Sequence, residues 1–116
     1  PVQAVAIPVS ADQVEYLRGV VAQLKRAGVR IDLDDADERM QKKIRNAQRA
    51  KVPFMLIAGA TDAEAGAVSF RYLDGTQRNG IPVAAAAAEI ADYIGARANA
   101  APTAELFDAP VAAPAT

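Results

Sequence analysis

The chain has 116 residues, a formal net charge of −1, 52% hydrophobic and 5% aromatic content, and neither cysteine nor histidine. That length fits one domain with a single core built from Ala, Val, Ile and Leu. The missing Cys and His exclude disulfides, thiolate metal sites and the commonest general base.

No apolar run approaches the roughly 20 residues of a membrane helix, and the N-terminus lacks the basic-then-apolar order of a signal peptide. No membrane partner is expected, and the lack of Cys suits a reducing cytoplasm. The chain opens on Pro1 directly in strand-like sequence, as expected of a piece cut from a longer protein.

VQAVAIPV (2–9) is a β-branched apolar run that Ser10 ends, and Ser10 with Gln13 spells a capping box. Behind it Val14, Leu17, Val21 and Leu24 mark one helical face, with Lys25 and Arg26 in the last turn and Gly28 as the stop. VRIDL (29–33) predicts a short strand. DDADE (34–38) supplies N-cap candidates and first-turn acids for a second helix running to about Ala50, with Met40, Ile44 and Ala47 inward. VPFMLIAG (52–59) is an unbroken apolar strand, as expected where both faces are covered, and Pro53 is tolerable at its start.

The segment ATDAEA, bracketed by Gly59 and Gly66, reads as a loop. AVSFRY (67–72) then alternates Val68, Phe70 and Tyr72 against Ala67, Ser69 and Arg71, so one face is less buried. Asp74-Gly75 signals a turn into TQRNGI. Pro82 fits the first position of an alanine-rich helix that buries Ile90 and Ile94 and ends near Arg97.

Residues 98–116 are rich in Ala and Pro without Lys or Arg, and are expected to form a disordered tail behind a folded domain at 1–97. Glu105 and Asp108 are two of the 14 acids, so the body holds all 13 basic residues against 12 acids, net +1. Helical crossovers between apolar strands imply a parallel portion, and the Asp74-Gly75 region an antiparallel one. The fold class is α/β, a small mixed sandwich.

Residues 32–38 hold five acids, and residues 39–51 hold six basic residues and no acid. Macrodipole complementation accounts for part of this pattern. The immediate start of the cations suggests a second role. Lys42, Arg45 and Arg49 flank the apolar stripe with Arg39 near the rim, a face that could hold a phosphate backbone. A Mg²⁺ site at Asp32, Asp34 and Asp35 would need further ligands at later strand ends, and the next strand ends IAGA. Neither Gly59 nor Gly66 belongs to a phosphate-cradling motif. Asp62 and Glu64 ordinarily serve as solvated loop acids and Arg71 as a cross-strand ion-pair partner. No residue looks catalytic and no metal ligand set is present.

Residues 41–59, Q-K-K-I-R-N-A-Q-R-A-K-V-P-F-M-L-I-A-G, and 62–75, D-A-E-A-G-A-V-S-F-R-Y-L-D-G, carry a resemblance. They are similar to the C-terminal anticodon-binding domain of threonyl-tRNA synthetases, and the likeness extends from about Pro1 to Ile94. The Q-K-K-I-R and N-G-I-P details are similar to actinobacterial members. The resemblance implies a mixed sheet of about five strands flanked by three helices. It implies a partner, the anticodon arm of threonine tRNA, whose second and third anticodon bases are G and U. Sequence-specific RNA recognition splays such bases and reads their edges.

By the same resemblance, Asp62 takes the place of a family carboxylate, usually Glu, that can accept from the guanine N1–H and N2–H edge. Arg71 is the strand arginine that stacks on a base and donates to it. Lys51 holds a basic position often occupied by Arg, and keeps a charge without bidentate geometry. Asp37 stands where relatives read R-N-E-K, and replaces an amide by a pure acceptor or serves only as an N-cap. No cofactor is implied for these residues, whereas ATP, Mg and Zn are implied for catalytic and metal-binding parts upstream. The chain alone is expected to be monomeric and its parent a homodimer. The alternative is a stand-alone RNA-binding or protein-interaction module reusing the fold, with the acidic stretch 32–38 as its contact.

Overall fold

The computed structural model describes residues 1–96 and 100–108. Five strands, β1 (Ala4–Pro8), β2 (Ile31–Leu33), β3 (Phe54–Ala58), β4 (Ala67–Arg71) and β5 (Gln77–Pro82), form one sheet in the order β2-β1-β3-β4-β5. β1 pairs in parallel with β2 and β3, while β3–β4 and β4–β5 are antiparallel. The expected mixed sheet of five strands is therefore present.

Helix α1 (Val14–Arg26) follows a short 3₁₀ turn, Ala11–Gln13. At its entry Ser10 N–H donates to Gln13 Oε1 (3.1 Å) and Asp12 N–H donates to Ser10 Oγ (3.3 Å), the reciprocal cap the spacing predicts. It stops at Gly28, φ +90°, where Gly28 and Val29 N–H groups return to the carbonyls of Lys25 and Leu24.

Helix α2 (Met40–Arg49) begins later than the acidic run suggests. Its N-cap is Arg39, no acid stands in its first turn, and residues 34–38 form the preceding turn. Asp34 and Asp37 are thus not its caps; Asp34 Oδ1 instead accepts from Ala36 N–H (3.2 Å) within that turn.

The segment ATDAEA is a helix, α3 (Ala60–Ala65), rather than a loop. Pro82 is the N-cap of α4 (Val83–Gly95), one position earlier than expected. That helix ends at Gly95; Arg97 lies outside the described residues. In the segment expected to be a tail, residues 104–108 form α5 (Ala104–Asp108) on the body of the domain; residues 109–116 lie outside the described residues.

Strand alternation splits the apolar side chains between two faces. On one, Ala4, Ala6, Phe54, Leu56, Val68, Phe70 and Tyr72 meet Leu17, Val20 and Leu24 of α1 and Val83, Ala86 and Ile90 of α4. On the other, Ile7 and Met55 meet Ile44 and Ala47 of α2. Ile94 packs only partly buried against the larger cluster. Lys43 joins α2's inner face, buried, with its ammonium donating to the Asp34 carbonyl (3.1 Å).

Candidate nucleic-acid interface

α2 covers β1 and β3, and the same face of β4 and β5 is left open. Register fixes which side chains project there: Ser69 stands opposite Ile57, and Arg71 opposite Met55 on one side and Gln77 on the other. Ser69 and Arg71 are half-buried, Gln77 and Asn79 exposed. Together with Met40, Gln41 and Ile44 of α2, and with Gly59 to Asp62 of α3 and its N-cap, they line a cleft of about 510 Å³.

Asp62 and Arg71 therefore share one cleft. The Asp62 carboxylate accepts from Ser69 Oγ (3.2 and 3.3 Å to its two oxygens) and from Gly59 N–H at 3.5 Å. Glycine has no side chain to return that bond, so the contact is half of a capping box. Arg71 Nε is buried and finds no hydrogen-bond partner among the described residues. A buried, unpartnered donor on a guanidinium is costly unless a ligand or water completes it. Tyr16, behind this corner, donates to the Ala67 carbonyl (2.6 Å). Burial, and secondarily the Asp62 charge, push its hydroxyl above the ordinary tyrosine range.

The other sequence candidates stand elsewhere. Asp37 lines a neighbouring depression of about 310 Å³ with Ser10, Glu38 and Lys43. Val9, 49% exposed, lines both hollows and separates them. Lys51 lines neither hollow. It is the exposed residue after α2 and takes φ +56°, a left-handed conformation. Arg39 is exposed at the start of α2. Lys42, Arg45 and Arg49, spaced i, i+3 and i+7, form a stripe on the outer face of α2, opposite the buried Ile44 and Ala47. Lys42 is paired with Glu38 and Arg18 with Asp35, so part of the acidic run is engaged within the domain.

Ser69, Gln77, Asn79 and Gln41 belong to the cleft and were not singled out from the sequence. The alternation of 67–72 did place Ser69 beside Arg71. The hairpin register that brings Gln77 opposite Arg71 is a property of the folded pair. A larger depression, about 560 Å³, runs along β2, but it is lined by Pro1, Lys25, Arg30 and Asp32 and holds none of the anticodon- or phosphate-binding candidates. Its size therefore says nothing about function. Among the described residues no three His, Cys, Asp or Glu side chains gather as a metal site requires, and no helix is long and apolar enough to cross a membrane.

The profile of the family described as "Anticodon binding domain" matches residues 3–93. The threonine–tRNA ligase of Rhodococcus erythropolis is 58% identical over 112 residues, which is 97% of this chain and 16% of that protein. The chain thus spans about a sixth of that relative's length. The RNA-binding domain of threonyl-tRNA synthetase from Cryptosporidium parvum superposes with a TM-score of 0.75 at 26% identity, covering 79% of this chain and 23% of that one. Prolyl-tRNA synthetase from the same organism shares the fold, with a TM-score of 0.71 at 23% identity over 84% of this chain and 22% of that one. With its mixed sheet in place and the family's profile matched across nearly the whole body, the chain belongs to the anticodon-binding domain family.

Proposed function

We propose that this chain binds the anticodon arm of threonine tRNA in the cytoplasm and presents that tRNA to catalytic residues outside these 116 residues. The longer protein would be a threonine–tRNA ligase, a homodimer that joins threonine to the tRNA at the expense of ATP. The chain by itself would be monomeric and without catalysis, and the ATP, Mg and Zn of the parent would bind elsewhere. Identity of 58% to a threonine–tRNA ligase over nearly the full chain supports the choice of amino acid.

The observation that carries this reading is the meeting of Asp62 and Arg71 in one open cleft, with a guanidinium N–H left unpartnered. A splayed guanine offers N1–H and N2–H to a carboxylate, and its face and acceptors to a guanidinium. Asp37, in the adjoining hollow, would accept from a neighbouring nucleotide. Lys51 would reach a phosphate or a single acceptor, and Arg39, Lys42, Arg45 and Arg49 would follow the backbone.

The test is the affinity of a labelled threonine anticodon stem-loop at low salt, beside a hairpin with the second anticodon base G changed to A, and beside an Arg71→Ala chain. Binding is expected to weaken about tenfold for each change, the worth of one lost charge-assisted base contact. Equal binding to every hairpin would leave only phosphate contacts and remove the specificity assigned to the cleft.

A further inference from the structure

Opposite Ser69 the β4–β5 ladder carries one extra residue. Val68 pairs with Ile81 and Phe70 with Arg78, so Asn79 and Gly80 together face Ser69. Gly80 takes φ +65°, a conformation that residues with a Cβ adopt at a cost. Gly80 N–H donates to Ser69 Oγ (3.4 Å). A serine hydroxyl has a single proton and two lone pairs. With one lone pair occupied by the Gly80 N–H, the proton is directed at Asp62, whose oxygens lie 3.2 and 3.3 Å away.

We infer that Ser69, oriented by the Gly80 bulge, is a positioning residue that aims the Asp62 carboxylate into the cleft and thereby sets base selectivity. The inference rests on the anticodon reading given above. Asp62 is half-exposed at the third position of a six-residue helix, where little else restrains its side chain. The Ser69 hydroxyl and Gly59 N–H restrain the carboxylate, at 3.2 to 3.5 Å. A carboxylate offers about four lone-pair sites and these two donors bring one proton each, so about two sites stay free for a base edge. A base edge that must meet two oxygens at once discriminates only if the carboxylate plane is fixed beforehand.

The experiment is a double-mutant cycle on the 116-residue chain, reading the ratio of affinities for the threonine anticodon hairpin and its second-base G→A variant. Ser69→Ala is expected to lower that ratio about fivefold with an unchanged melting temperature, and to have no further effect in an Asp62→Ala background. Ser69→Thr, which keeps the hydroxyl, is expected to retain the ratio. The proposal is overturned if Ser69→Ala discriminates like the parent while Asp62→Ala does not. Equal weakening for both hairpins, or the same loss with Thr as with Ala, overturns it as well. If Asp62→Ala itself leaves the ratio intact, the anticodon reading of Asp62 falls and takes this inference with it.

Discussion

Lys51 occupies the position after α2 that Gly28 occupies after α1. In both places two N–H groups fold back onto the helix, here from Lys51 to the Gln48 carbonyl and from Val52 to the Ala47 carbonyl, each 3.0 Å. A residue with a Cβ is strained there, at φ +56°. Such strain persists where the side chain serves something other than the fold, which fits a lysine proposed to meet RNA. Lys51→Gly should therefore raise stability by about 0.5–1 kcal/mol in urea unfolding while weakening hairpin binding. A fall in stability instead would mean that the lysine stem contributes packing that outweighs the backbone relief.

The element that sequence patterning missed most completely is α5. Its segment looked like a tail because Ala and Pro dominate its composition, yet the contacts that hold it come from far along the chain. Arg78, with a side chain only 10% exposed, grips Glu89 through Nη1 and Nη2 (2.8 and 3.1 Å) and Asp108 through Nε (2.7 Å). Its guanidinium lies 5.3 Å from the Phe107 ring, which stacks on Tyr72. No local signal marks Arg78 as a buried anchor, since neither its partners nor its burial has a sequence period. α3 escaped for a different reason: six residues between two glycines are too few to show helical periodicity. The long elements β1, α1, β3, β4 and α4 were legible because each carries a full period of apolar residues. Of the site, Asp62 and Arg71 came from resemblance and their meeting from the fold. Arg78→Met should cost about 2–3 kcal/mol, because Glu89 is left partly buried and uncompensated. Phe107→Ala should cost about 2 kcal/mol. The pair should be less than additive, because both changes release the same helix, as a urea double-mutant cycle would measure. The cluster also responds to alkali. Burial pushes the Tyr72 hydroxyl up, outweighing the lowering by Arg78. A raised folded-state value means its contribution is intact below the ordinary tyrosine range near 10 and is lost as pH rises through the folded value. Urea midpoints should thus fall more steeply above pH ~10 than those of a Tyr72→Phe chain.

At the scale of the whole molecule, coverage of the sheet is unequal. α1, α4 and α5 close one face and α2 closes half of the other, which leaves the β4–β5 quadrant open. Charge is distributed by a separate rule. The formal net charge is −1, so the molecule as a whole does not attract a polyanion. On the proposed reading, the outer stripe of α2 and the cleft beside it would divide the work, with cations on the helix meeting phosphates and the cleft meeting bases. The two contributions separate in a salt titration. Arg45→Gln and Arg49→Gln should weaken cognate and second-base-altered hairpins alike, each lowering the slope of log affinity against log salt by about 0.7–1. Arg71→Ala should instead weaken the cognate hairpin more than the altered one. Lys42→Gln should move the slope by less than either arginine change, because Glu38 already holds that ammonium in the free domain. If Arg45→Gln and Arg49→Gln left the slope unchanged, the α2 stripe would be a solvated helix face, and affinity would have to come from the cleft alone.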